Sequence, residues 1–146
     1  MSAERRSLPE RADVVEVLLP DGRQLAARVR VARGLLSRFL GLMGRREVPA
    51  GEGIWLVPCR SIHMFFMRTA IDILFLDAEG EVVRSVSRMR PWSLRPFSVT
   101  LSPVRGARST LELAPGTLER MDFSLPARLL LRPVPGLSPH PQLTLE

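Results

Sequence analysis

Cys59, His63 and Met67 stand four residues apart in a chain that holds one cysteine and two histidines. Thiolate, imidazole and thioether are soft or borderline donors, a set that suits copper. A cysteine near a histidine is also the beginning of an activated nucleophile. Geometry limits both ideas. In an extended strand four residues span about 13 Å. The ligands of one metal lie about 2 Å from it, and a Cys–His hydrogen bond needs about 3 Å. Only a helical turn or a sharp bend would bring the three together. Pro58 supplies a bend, but the apolar run after it favours strand. In a strand the three read as a buried thiol, a core methionine and a histidine on a sheet face.

The carboxylates carry more information. Asp72 interrupts the apolar run IDILFLD and shares a strand face with Leu74 and Leu76. An ionised carboxylate buried there needs a paired arginine or backbone donors, and Arg38 and Arg68 are the arginine candidates. Asp72 reads first as a structural anchor tying helix to sheet, and second as an acid at a pocket floor. Glu112 lies between Leu111 and Leu113, so it points away from whatever they bury, to solvent or to a groove beside Asp72. Arg38, Arg68, Asp72 and Glu112 form the candidate binding set for a small polar or anionic ligand. The enzymatic alternative is a small hydrolase or lyase using Asp72 or Glu112 as general acid/base, which requires such groups to converge on one cavity. No nucleophile elbow, HExxH or Walker motif is present. The leading expectation is therefore a non-enzymatic binding or accessory module, with no cofactor predicted. Metal handling through Cys59, His63 and Met67 is a second alternative.

The elements that must position these residues follow from periodicity. Val15, Val17 and Leu19 alternate before Asp21-Gly22, and Leu25, Ala27, Val29 and Val31 alternate after it, which predicts a hairpin. The period then changes. Leu35, Leu36, Phe39, Leu40 and Met43 recur at spacings of three and four, which predicts an amphipathic helix over about 34–43, capped at Gly44. Gly41 inside it invites close approach to a neighbouring strand. IWLVP and IHMFFM read as buried extended segments. IDILFLD and EVVRSVSR flank Asp77–Gly80 as a second hairpin. Phe97–Leu101 suggests an edge strand, STLELA (109–114) a compact strand and ARLLLRP (127–133) a last one, whereas TLERMDFSL has no clear period. Seven or eight short strands and one helix, without strand–helix alternation, predict a mainly antiparallel sandwich or barrel. Residues 1–12 read as a flexible arm, 13–132 as one β-rich domain, and 133–146 as a proline-rich disordered tail.

Composition bounds the rest. At 146 residues the chain is one domain with room for a core. All 21 basic residues are arginine, and the formal charge is +6. The absence of lysine points to biased base composition, so the high pI carries no specific nucleic-acid function, only a general attraction for polyanions. A lone cysteine makes no intrachain disulfide. No stretch approaches the roughly 20 apolar residues of a membrane helix, and the N-terminus has no signal-type apolar segment. A cytoplasmic location without membrane contact is expected; nothing in the sequence sets the oligomeric state.

Three motifs in order carry a resemblance: Ser37–Arg45 (SRFLGLMGR), Phe66–Asp77 (FMRTAIDILFLD) with Gly80 and Val82-Val83 following, and Leu111–Gly116 (LELAPG). Together they resemble the bacterial and archaeal family catalogued as domain of unknown function 192, over about residues 13–132. The resemblance implies a compact β-rich fold with one helix, and implies no activity. Members of the family usually close with a Gly-Asp pair before the last strand, where this chain has Phe123-Ser124-Leu125-Pro126-Ala127.

Overall fold

The computed structural model describes residues 13–64, 66–92 and 103–134. The expected N-terminal arm, the edge strand at 97–101 and the tail beyond 134 lie outside the described residues. Seven strands follow one another: β1 (Val14–Leu18), β2 (Gln24–Ala32), β3 (Glu52–Leu56), β4 (Ile71–Leu76), β5 (Val82–Met89), β6 (Ser109–Leu113) and β7 (Leu130–Pro133). Helix α1 (Leu35–Leu40) joins β2 to β3, and α2 (Thr117–Arg120) follows β6. All seven strands form one sheet in the order β5-β4-β6-β3-β2-β1-β7. Its two ends meet: Val82 N donates to Ala127 O and Leu129 N to Gly80 O, both at 2.9 Å, around a Glu81–Arg128 bridge. The fold is therefore β-rich with a barrel-like closure. Among the described residues no helix is long and apolar enough to cross a membrane.

The predicted hairpins are β1–β2 and β4–β5, and both are antiparallel. The sheet is nevertheless mixed, because β2 and β3 run parallel. A parallel pair needs a long crossover, and residues 33–51, with α1 inside them, provide it. TLERMDFSL, which has no period, opens with the single turn of α2. Pro133 belongs to β7, opposite Val15, and Val134 N reaches Val14 O, so the last strand runs one residue beyond the expected domain end.

Alternation sorts the apolar residues into two cores. Val15, Val17, Leu25, Val29, Trp55, Leu74, Leu76, Leu111, Leu113 and Leu131 fill the inner face. Ile54, Leu56, Ile71, Ile73 and Phe75 project from the outer face, where Leu42, Val48, Ile62, Met64 and Met67 from the connecting segments cover them. Strands β4 and β6 are buried on both faces, which is why IDILFLD reads as a nearly unbroken apolar run.

Two expectations fail here. The helix is six residues long and ends at Gly41, not Gly44. Gly41 adopts φ 48°, ψ −124°, a conformation suited to glycine, and this breaks the helical period. Leu35 and Leu36 consequently stand 80% and 63% exposed, and Leu42 is the residue that enters the outer core. The Phe39 side chain lies outside the described residues. IHMFFM is also not a strand: residues 62–64 and 67 have no regular secondary structure and Phe66 lies in a turn.

Asp72 is the fixed point of one end of the barrel. It is fully buried, and its carboxylate accepts three backbone N–H groups: Arg88 at 2.8 Å, Gly116 at 3.3 Å and Leu118 at 2.9 Å. The last two are donors at the N-terminus of α2 that helix bonding leaves open, so Asp72 caps that helix from a neighbouring strand. Leu118 then packs into the inner core. The anchoring role expected of Asp72 is present, with backbone donors in place of Arg38 or Arg68. Asp72→Ala leaves two buried donors and one part-buried donor without an acceptor and is expected to destabilise the protein by about 3 kcal/mol. Urea unfolding reads this directly, and a loss below about 1 kcal/mol would contradict the anchoring role.

Candidate functional site

Register decides what Asp72 and Glu112 can do together. In the β4–β6 pair Asp72 faces Leu113 and Ile73 faces Glu112. Directly opposed residues share a sheet face and neighbours along a strand do not. Asp72 therefore belongs to the inner core and Glu112 to the outer face. The pair does not converge, and the groove beside Asp72 expected for Glu112 lies on the other side of the sheet.

Glu112 sits in the centre of that outer face, between Ile54 of β3 and Ile73 of β4, and is 5% exposed. Leu42 N, just past the end of α1, donates to its Oε2 at 3.2 Å. That is its one hydrogen bond among the described residues, whereas a carboxylate offers about four acceptor positions. Gly41 makes the approach possible. A Cβ there would lie 2.9 Å from Glu112 Oε2 and 3.3 Å from Oε1. The close strand contact that a glycine in this helix invites is thus a contact with the carboxyl of Glu112.

Above Glu112 lies a cavity of about 450 Å³, within the range of small-molecule sites. One wall is α1 and the turn after it, with Leu35, Arg38, Leu40, Leu42 and Met43; the other is the bent segment 58–67, with Cys59, Arg60, Ser61, Ile62, His63 and Met67. Backbone bonds hold the second wall in place. Cys59 N donates to Arg108 O at 2.9 Å, Val104 N to Arg60 O at 2.7 Å and Trp92 N to Met64 O at 2.7 Å. Arg38 clamps the two walls together, giving Nε to Arg33 O at 3.2 Å and Nη1 to Pro58 O at 2.8 Å.

The predicted residues divide cleanly. Arg38, Glu112, Cys59, His63 and Met67 all border the cavity; Arg68 and Asp72 do not. The bend that would be needed to gather Cys59, His63 and Met67 is present, against the strand expected of this segment. Among the described residues no group of three or more His, Cys, Asp and Glu side chains could hold a metal ion, so a metal at this cavity would need the Met67 thioether beside Cys59 and His63. Arg60, Ser61 and Ile62 of the lining were not singled out as site residues by sequence reasoning, because they lie in a segment whose path no periodicity specifies; Leu40 and Leu56 were read only as members of a helix and of an extended segment.

The electrostatics single out Glu112. Burial pushes its carboxyl pKa up from 4.5 to about 7, partly opposed by the bond from Leu42 N–H. Burial also raises the Cys59 thiol, and the Glu112 charge pushes the same way. The thiol donates to Ser61 O at 3.1 Å. A thiol held in its neutral form is a poor nucleophile, which argues against Cys–His catalysis.

Linkage gives the first consequence. The folded protein holds the Glu112 proton more tightly than the unfolded chain does. This contribution to stability is complete below pH 4.5 and is lost as pH rises through about 7. Its size is about 3 kcal/mol. Glu112→Gln removes the titration, so the stability difference between variant and parent is expected to shift by about that amount between pH 4.5 and 8, as measured by urea unfolding. Equal pH profiles would contradict the assignment. Gly41→Ala forces a Cβ against the carboxyl at a positive φ and is expected to destabilise by about 2 kcal/mol. A neutral effect in the same measurement would show that the contact is loose.

A UPF0127 protein of Pyrococcus furiosus is 34% identical over 113 residues, covering 74% of this chain and 90% of the relative. A UPF0127 protein of Thermococcus sibiricus is 35% identical over 109 residues, covering 71% and 66% respectively. Two solved structures share the fold. One, a protein of unknown function from Novosphingobium aromaticivorans, has a TM-score of 0.66 at 22% identity and covers 80% of this chain and 83% of that one. The other, a Sinorhizobium meliloti protein described as a candidate transcription regulator, has a TM-score of 0.65 at 23% identity and covers 83% and 94%. The sequence pattern described as Uncharacterized ACR matches residues 17–130, and with it the chain belongs to the family of domain of unknown function 192.

Proposed function

We propose that this domain is a binding module that takes a small ligand in the cavity between α1 and the segment 58–67. The observation that carries the reading is Glu112. Buried polar groups in folded proteins find partners, yet this carboxyl has one donor among the described residues and faces open space. A ligand's polar group supplies the missing partner there, and the mostly apolar walls take its body. Arg38 and Arg60 add positive charge to the rim, in keeping with a polar or anionic ligand. Arg68 and Asp72, considered for the same site, play no part in this reading because they lie away from the cavity.

A second reading is favoured by the titration range of Glu112. A carboxyl with a pKa of about 7 can both give and take a proton at neutral pH, so an acid/base enzyme would use Glu112 without Asp72. Turnover that is lost in Glu112→Gln would distinguish it from simple binding.

Screening a small-molecule library by backbone amide shifts tests the binding reading. Hits are expected to move the amides of Leu42, Cys59, His63 and Glu112. Ser61→Trp places a bulky side chain at the exposed rim and is expected to weaken binding at least tenfold, while Arg68→Ala leaves it unchanged. Shifts that cluster away from the cavity, or hits that ignore Ser61→Trp, would overturn the reading.

A further inference from the structure

The charges bordering the cavity narrow the ligand's chemistry. We propose that the cavity takes a small monoanion with an apolar body, an alkyl carboxylate in its simplest form, and that Glu112 meets it as the neutral acid and donates its carboxyl O–H to the anion. This rests on the binding reading above and names the ligand class for the same site.

The walls account for the apolar body. Leu40, Leu42, Met43, Leu56, Ile62 and Met67 line the space over Glu112, and Leu35 and Leu40 remain partly open to solvent at its rim. An alkyl chain laid against them removes apolar surface from water on both sides.

Charge decides the sign of the head group. The groups facing Glu112 are Arg38 from α1 and Cys59, Arg60 and His63 from the second wall. The sheet contributes Ile54 and Ile73 beside it. Among the described residues Glu112 is the one acidic residue of the lining. With Glu112 neutral, two guanidinium charges remain and attract an anion. With Glu112 ionised, a cation would still enter a cavity carrying surplus positive charge. Arg38 cannot swing away, because the carbonyls of Arg33 and Pro58 hold two of its donors.

The Glu112 proton decides whether an anion can enter. An anion beside an ionised carboxylate in a poorly screened site is strongly repelled. Beside the neutral acid it accepts a short charge-assisted O–H···O⁻ bond. Burial already makes the neutral acid well populated near pH 7. No covalent bond forms or breaks. Binding above that pH draws one proton from solvent onto Glu112, and release returns it.

The test is calorimetric titration of the full chain with hexanoate, hexan-1-ol and hexylamine at pH 6 and pH 8. Hexanoate is expected to bind tightest at pH 6 and to weaken about tenfold by pH 8. At pH 8 the binding heats in two buffers of different ionisation enthalpy should report uptake of about one proton. Glu112→Gln should bind hexanoate equally at both pH values, while His63→Gln keeps the fall. Tighter binding of hexylamine, an affinity that is flat or rises with pH, or no proton uptake by the unmutated protein would overturn the proposal, as would loss of the pH dependence in His63→Gln. Binding of the alcohol or amine without hexanoate would reject the anion while leaving the cavity as a binding site. Failure of all three to bind or to shift the Leu42 amide would remove both readings.

Discussion

The alternation of side chains across β4 and β6 governs this molecule. Both strands are buried on both faces, so every residue in them enters one core or the other. Two acidic residues occur there, and neighbouring register positions send them to opposite sides. The sheet then treats them differently. Asp72 enters the inner core and finds three backbone donors that the β5 end and the α2 terminus leave open. Glu112 enters the outer face between two isoleucines and finds one. Satisfied donors make the first carboxylate a structural anchor. The shortage of donors makes the second a titrating group on the floor of a cavity.

That difference also explains the path of the chain around the outer face. The sheet's inner side is closed by its own curvature and by Leu118 and its neighbours. Among the described residues no second sheet covers the outer side. It is covered by connections: α1 with the Gly41–Gly44 turn, and the bent segment from Pro58 to Met67. Connections pack less completely than a strand layer would, and the gap between these two is the cavity. Arg38 bridges the gap through two main-chain carbonyls, so its guanidinium is an element of the wall before it is a ligand contact.

Much of this was legible in the sequence because strands write their period plainly. The two hairpins, the double-sided burial of IDILFLD and the outward turn of Glu112 from Leu111 and Leu113 follow from alternation and turn chemistry. The buried acid at Asp72 was legible as a residue that must be answered. What answered it was not, since backbone donors carry no sequence signature, and Arg38 donates instead to the carbonyls of Arg33 and Pro58. The parallel β2–β3 pair was hidden although the helix between the two strands was read, because a single strand–helix–strand step does not itself say that its two strands pair. The stripe Leu35, Leu36, Phe39, Leu40 and Met43 read as one face of a helix over about 34–43, but the Gly41 conformation ends the helix at Leu40, and Leu35 and Leu36 stand largely in solvent. The convergence of Cys59, His63 and Met67 on one cavity depended on a bend that no spacing rule could place.

The account depends on Glu112 being a buried, poorly solvated acid facing the cavity, and nuclear magnetic resonance can observe that acid itself. Selective ¹³C labelling of glutamate side chains allows the Glu112 carboxyl to be titrated in the intact protein. The account predicts a midpoint near 7; a midpoint near the ordinary 4.5 would mean that the carboxyl is solvated, and the assignment of the site would fail with it.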